Sequence, residues 1–454
     1  MNYPPGKAPL AILIMAAISG VALLLFPGKA REGNLQLWTF SDLHFGAYQK
    51  AAPLFERDHP GVKIDLQYVE KSAVTSRLRS AFASDLAVPD MLETEISGAG
   101  TFFLGPLNDI GFVDLTPELN KPRPDGPPWI ERVVRSRFAP YTSRGHIFGL
   151  PHDVHPVLLG YRRDIFEANG IDVEKLTTWD EFIRVGRALI KKLNGSGPMN
   201  HYLMDLSDTE TSQLETLLFQ RDGGFFSADG KVRMDDEIAV QTMLFYVPLV
   251  SGPERVGYSF GWNWELSEKN AQNDFHLAFL MPDWLSGLYQ KQVPSARGKM
   301  ALMPLPAFAP GGRRTSTLGG TMMGFTKKSK QFETAWQLGL TFYYDIDSRV
   351  AQFKETNIIP PLKAAWKHPA MSAPNPYFSN QPLGQLYASQ ADDTPPQYSS
   401  PYVQLAKPKM GEALCDAVQY YAKNGADGFE AFVRKRLKDA ADEVRLQMTL
   451  NPYQ

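Results

Sequence analysis

The stretch "HLAFLMPDWLSGLY" (His276–Tyr289) decides the fold class. Its first five residues, His276–Leu280, read as a short buried strand, which Met281, Pro282 and Asp283 then stop. Trp284 follows, and a helical pattern begins. In open α/β sheets a ligand sits in the crevice beyond the carboxyl ends of the strands. A carboxylate and an indole placed together at such an end are therefore candidate ligand contacts. The competing reading makes Trp284 a packing residue and Asp283 a turn residue.

The same alternation recurs along the chain. "LQLWTF" (Leu35–Phe40) is a strand, and a helical stretch covers about His44–Asp58 until "HPG" (His59–Gly61) breaks it. "VKIDLQYV" (Val62–Val69) alternates as a second strand, a helix follows near Ser72–Ser84, and "PDMLETEI" (Pro89–Ile96) reads as a third strand. Strands alternating with helices predict a largely parallel sheet with helices on its faces. "KPRPDGPP" (Lys121–Pro128) is a loop. "HIFGLPHDVHPVLLGYRRDIF" (His146–Phe166) reads as one extended passage. "TTWDEFIRVGRALIKKL" (Thr177–Leu193) is an amphipathic helix, with Thr178 as its cap and Glu181 completing a capping box. Phe226–Val250 reads as turn, short strand and helix, and "KMALMPLPAF" (Lys299–Phe308) as a strand. Gln331–Asn357 is helical, and a final helix covers about Gly428–Met448.

A chain of 454 residues is too long for one compact core, so two domains are expected. A net charge of −2 argues against a general nucleic-acid binder, and no nucleic-acid partner is expected. The lone Cys415 excludes an internal disulfide and the common Cys-rich zinc patterns. At the N-terminus "PLAILIMAAISGVALLLF" (Pro9–Phe26) follows Lys7 and precedes Gly28-Lys29-Ala30. That is the layout of an export signal, and the apolar run is also about long enough to span a bilayer. Cleavage after Ala30 and retention as an anchor both stay open. Either way the remainder is exported.

Taken in order, the pieces "LQLWTF", "FERDHPGVKIDLQYV", "PDMLETEI", "GHIFGLPHDVHPVLLGYRRDIFEANGI", "TTWDEFIRVGRAL", "AFLMPDWL", "LGGTMMGFTKKS" and "AWQLGLTF" resemble the extracellular solute-binding proteins of ABC transporters. The likeness is to the sugar-binding family that includes maltose-binding protein, and it spans most of Leu35–Leu450. It implies an α/β, two-lobe periplasmic-binding-protein fold (type II), with the ligand cleft between lobes joined by hinge crossovers. The implied map is a signal or anchor over 1–33, a first lobe from 34–150 and 306–360, and a second from 151–305 and 361–454. The implied partners are a small-molecule sugar and the permease subunits of an ABC transporter, and the receptor is expected to act as a monomer without cofactor. Members that are lipoproteins carry a cysteine just after the signal, which this chain lacks.

A neutral sugar presents hydroxyls and an apolar C–H face, so its site stacks an aromatic ring and supplies carboxylates and amides. The family places an aromatic at the strand end that Trp284 occupies, with Asp283 beside it as an acceptor. Gly319 and Gly320 lie where related chains run backbone past the ligand, and glycine permits that approach. Asp42, with Phe40 and Ser41, sits at the carboxyl end of the first strand, where helix capping is the rival role. Glu93 and Glu95 fall on one face of the third strand, with Glu93 preferred, and Glu70 ends the second. "PHDVHP" holds His152, Asp153 and His155; a metal there lacks further ligands nearby in sequence, and hydrogen bonding to ligand by Asp153 or His155 competes with a hinge role. "GYSFGWNWE" (Gly257–Glu265) gathers Tyr258, Phe260, Trp262 and Trp264, of which Trp262 is the candidate for the cleft wall. No basic cluster at the predicted strand ends demands a phosphate, although Arg313 and Arg314 lie close to the glycine pair, and a neutral sugar is favoured. Two rivals remain: an exported glycosidase drawing on Asp42, Glu93, Asp153 and Asp283, and a sensor reporting to a membrane partner.

Overall fold

The computed structural model describes residues 34–82, 84 and 86–451. Pro9–Phe26 and the choice between signal and anchor lie outside them. Among the described residues no helix is long and apolar enough to cross a membrane.

Two five-stranded sheets organise the chain. The first contains β1 (Asn34–Thr39), β2 (Lys63–Tyr68), β3 (Met91–Glu95), β4 (Leu150–Pro151) and, from much later in the chain, β10 (Thr321–Phe325). Its order is β2-β1-β3-β10-β4. The second contains β5 (Val157–Arg162), β6 (Tyr202–Asp205), β7 (Gly257–Tyr258), β8 (His276–Pro282) and β9 (Met300–Pro304) in the order β9-β5-β8-β6-β7. Both sheets are mixed, whereas the alternation had predicted largely parallel ones. β10 runs antiparallel to β3 and β4, and β5 runs antiparallel to β8 and β9. The reason is that the chain enters each sheet from the other lobe, and such a strand arrives from the opposite end.

β8 is the centre of the second sheet. All seven of its residues are buried, so it runs through Met281 and Pro282, two residues beyond the expected stop. Pro282 is tolerated because it is the last strand residue, opposite Val157, where a missing N–H costs least. The helix Asp283–Gln292 follows at once. Helix Trp179–Asn194 covers this sheet by burying Trp179, Phe182, Ile183, Gly186, Leu189 and Ile190, and Thr178 with Glu181 forms the expected capping box.

Three stretches depart from expectation. His146–Phe166 is broken: two short strands, His146–Ile147 and Leu150–Pro151, precede β5, and His155 takes a positive φ of 53° between them and it. The strand expected within Phe226–Val250 is a single bridge, Phe226 to Val232. Gln331–Asn357 is two helices, Phe332–Tyr344 and Ile346–Thr356, parted at Asp345, whose side chain caps the second by accepting from Ser348 N at 2.8 Å. Helix Val403–Asn424 was not foreseen. Pro408 within its first turns disguises it. With Phe429–Thr449 it packs on the helical face of the second sheet through Ala406, Met410, Leu414, Val433 and Leu437.

Residues 152–156 leave β4 for β5, residues 305–320 return from β9 to β10, and the chain passes the boundary again after Tyr344. Phe353 and Ile359 pack with Phe279, Met281 and Leu285 on the second sheet's other face.

Candidate functional site

The crossovers are held by a buried chain of charges. Asp153, fully buried, accepts on Oδ1 from Arg137 Nη2 at 3.1 Å. On Oδ2 it accepts from Thr321 N at 3.1 Å and His152 Nδ1 at 3.2 Å, and it faces His155 Nε2 at 3.1 Å. The other ring nitrogen of His155 meets Asp283 Oδ1 at 2.6 Å. A carboxylate only accepts, so both nitrogens of His155 carry protons and the ring is an imidazolium. Burial alone would lower its pKa; the carboxylates of Asp153 and Asp283 outweigh burial and hold it up at about 9. Asp283 also accepts from Ile359 N at 2.6 Å and Trp284 N at 2.7 Å. Asp283 thus joins the first crossover to the third. Arg137 joins the first to the second, donating to Asp153 O at 3.1 Å, Thr317 Oγ1 at 2.9 Å and Gly319 O at 3.1 Å.

His152 has the opposite protonation. Arg349 donates to Gln352 Oε1, which turns the amide nitrogen of Gln352 toward His152 Nε2 at 2.7 Å. That nitrogen is therefore bare, while Nδ1 donates to Asp153, and the ring is neutral. Burial and the neighbouring His44 push its pKa down to about 4. Glu93 lies deeper in the first lobe, with no exposure. It accepts from Thr39 Oγ1, Tyr48 OH, His44 Nδ1 at 3.0 Å and Tyr343 OH at 2.6 Å. Burial raises its pKa, but the charge and hydrogen bond of His44 prevail and bring it to about 2. His44, Glu93 and His152 place ligand-type atoms within 4.8 Å of one another. The hydrogen bonds just described already occupy Glu93 and His152, so the trio belongs to this network.

In front of the network a cleft of about 290 Å³ opens between the lobes. The first lobe contributes Lys71, Glu95 and Ser97, and the second contributes Glu215, Phe219, Phe225, Trp262, Trp284 and Lys407. Thr317–Gly319 of the second crossover floors it, and Pro396–Ser399 closes one side. The two indoles Trp262 and Trp284 stand 5.6 Å apart at 36°, and Trp284 is anchored by donating Nε1 to Leu318 O at 2.8 Å. The charges in the cleft come in pairs: Lys71 Nζ lies 3.0 Å from Glu95, and Lys407 Nζ lies 3.2 Å from Glu215. Burial raises the pKa of Glu215. Gln397 Oε1 and Ser399 Oγ, from residues lining the cleft, are shut off from solvent without hydrogen-bond partners. Beyond the cleft the lobes touch again, where Gln404 Nε2 donates to Ser97 O at 2.7 Å. At that contact Gly100 lies so close that a Cβ on it would stand 2.4 Å from Ser400 O.

Of the candidates read from the sequence, Trp284, Trp262 and Gly319 line the cleft. Gly319 has φ +94, and a Cβ there would meet Trp284 Nε1 at 3.2 Å. Gly320 sits behind it, where a Cβ would stand 2.4 Å from Arg137 Nη2. Asp283, Asp153 and His155 are buried in the hinge network and not among the residues lining the cleft. The same holds for Glu93, and it is Glu95 that reaches the cleft. Asp42 is exposed in the first turn of Asp42–Asp58 while Ser41 caps that helix, accepting from His44 N at 3.4 Å. Glu70 bonds to Ser72, and Arg313 pairs with Asp222. Arg314 donates to the backbone oxygens of Leu305 and Pro304, away from the cleft. The sequence reading missed Lys71, Glu215, Lys407, Tyr398 and Arg137. Strand-end position, glycine pairs, the PHDVHP motif and aromatic crowding were its signals, and these residues, from helices and irregular segments, carry none of them.

Comparison with known proteins agrees with this architecture. Residues 44–339 match the family profile described as bacterial extracellular solute-binding protein. The arabinooligosaccharide-binding protein of Bacillus subtilis (strain 168) is 27% identical over 329 residues, 72% of each chain. A solved extracellular solute-binding protein of family 1 superposes with a TM-score of 0.73 at 22% identity, over 90% of this chain and 99% of that one. The sugar-binding protein MalE of Xanthomonas citri gives 0.71 at 18%, over 92% and 99%. At those identities the structures establish the two-lobe fold. The profile match covers well over half of the chain, which therefore belongs to the bacterial extracellular solute-binding protein family.

Proposed function

We propose that this protein is the capturing subunit of an ABC importer and holds a neutral sugar or oligosaccharide between its lobes. The observation that carries the reading is the pair of indoles, Trp262 and Trp284, standing over a cleft whose lysines and carboxylates neutralise each other. Indoles suit the C–H face of a sugar, and Gln397, Ser399, Glu95 and Glu215 offer oxygens to its hydroxyls. Among the described residues lining the cleft, both lysines have a carboxylate partner, which leaves no lone cation to favour a phosphate. The relative in Bacillus subtilis is named for arabinooligosaccharide binding, which puts such oligosaccharides first among the ligands to try.

The protein works outside the cytoplasmic membrane and passes its ligand to permease subunits. Ligand bound to one lobe bridges to the other and favours the closed form by as much as its added contacts allow. The glycosidase reading loses support, because Glu93, Asp153 and Asp283 are committed to buried hydrogen bonds.

The test is thermal unfolding across a panel of mono- and oligosaccharides. Unfolding entropy of about 2.1 cal/mol/K per residue makes 1 kcal/mol worth roughly 1 °C for a chain of 454 residues. A sugar at a hundred times its Kd adds about 2.7 kcal/mol and so shifts the midpoint by about 3 °C. A selective shift, with the sugar recovered intact, is expected. No shift with any saccharide overturns the proposal.

A further inference from the structure

Behind Trp262 the second lobe holds another cavity, of about 50 Å³, lined by Asp205 at the end of β6, by Gln213, by Asn263 and by Tyr289. Ser212, Trp262 and Leu318 line both this cavity and the interlobe cleft. The two spaces adjoin, and the Trp262 indole, 63% exposed, is one of the walls they share.

Two polar atoms separate this cavity from a packing gap. Asp205 Oδ1 and Gln213 Oε1 are shut off from solvent and have no hydrogen-bond partner. An unpaired buried acceptor is a standing cost, and native structures keep few of them. Neither oxygen can donate, so whatever satisfies them inside the cavity must bring donors to them. Its size limits what brings them: one water-sized position takes roughly 10–15 Å³. The space therefore fits a short polar arm and excludes a whole sugar ring.

We infer that this cavity is an accessory subsite of the cleft, taking the exocyclic hydroxymethyl arm of one sugar unit and the hydroxyl beside it, which donate to Asp205 and Gln213 beneath Trp262. The inference rests on the sugar-receptor reading above and adds a selection rule to it. Saccharides whose rings carry a CH2OH arm, hexopyranoses and pentofuranoses, bind in preference to pentopyranoses, which have none.

Gln213→Met and Asp205→Leu remove the acceptors while keeping side chains of similar length, and two measurements test them. In ligand-free protein each variant keeps or raises the thermal midpoint, because no bond is lost. A fall of more than about 2 °C would show that the fold itself uses these oxygens, and would overturn the inference without touching the receptor reading. Calorimetric titration then compares an arabinofuranosyl trisaccharide with xylotriose. The wild type favours the former by at least about tenfold, and each variant loses roughly 10–100-fold for it alone. Variants that bind the arabinofuranosyl sugar like the wild type overturn the subsite only. A wild type that binds neither probe nor any sugar of the wider panel overturns both readings.

Discussion

Asp283→Asn is the substitution that separates a hinge role from a ligand role for the strand-end carboxylate. Asp283 serves three donors at once: His155 Nδ1 at 2.6 Å, Ile359 N at 2.6 Å and Trp284 N at 2.7 Å. Asparagine keeps the shape but turns one oxygen into a donor, so the Ile359 or the His155 contact becomes donor against donor. An orphaned buried backbone N–H costs about 1–3 kcal/mol. The electrostatic part follows from His155, raised from 6.5 to about 9 between Asp153 and Asp283. At about 1.36 kcal/mol per pKa unit the net gain left after burial is roughly 3 kcal/mol, to which Asp153 contributes first and Asp283 second. The sign is fixed by the raised pKa: this contribution is complete below pH 6.5 and is lost as pH climbs to about 9. At pH 6 the variant should therefore unfold about 3 °C below the wild type, and near pH 10 only about 1–2 °C below. Melting curves of the two proteins without ligand, from pH 5.5 to 10, measure the gap. A gap that stays constant or widens with pH would refute the imidazolium reading. A variant as stable as the wild type at pH 6 would return Asp283 to the list of free strand-end acids.

The same network sets an acid limb. His152 is lowered to about 4 and Glu93 to about 2, so stability present above pH 6.5 falls as His152 is forced to protonate, and falls again from pH 4.5 downward as Glu93 does. Wild-type melting against pH should thus peak near pH 6.5, and His152→Gln should flatten the side between pH 6.5 and 4. Trp284→Ala should weaken sugar binding at least about tenfold by calorimetry while far-UV circular dichroism is unchanged; equal affinity would assign the indole to packing. Gly320→Ala should lower the midpoint by about 1–3 °C, since its Cβ would sit 2.4 Å from Arg137 Nη2, whereas Gly98→Ala, with neighbours no nearer than 3.2 Å, should cost less.

The elements with a clear period were legible from sequence. β1, β2, β3 and the capped helix Trp179–Asn194 came within a residue or two of their observed limits. Helix Val403–Asn424 was not, because Pro408 and an even spread of polar residues hide its apolar stripe. The mixed strand directions were not legible either. Direction is decided by which lobe the chain arrives from, and no local residue pattern records that.

The candidate site shows the same limit at the scale of single side chains. A carboxylate after a strand has two uses at a hinge: it can turn outward to a ligand, or inward to hold the crossover beneath. Asp283 and Trp284 are neighbours at one strand end, yet the indole faces the cleft while the acid meets His155 and Ile359. Glu93 and Glu95 share a strand face by period, but Tyr48, Tyr343 and His44 claim the first, and Lys71 holds the second at the rim. The partners that decide each case come from up to 250 residues away, as with Tyr343 and Glu93. Sequence position marks where polar groups gather in a two-lobe receptor. Which of them face the ligand depends on donors that only the folded chain brings together, and a donor as costly to bury as Arg137 is stationed where the hinge has the most acceptors to offer.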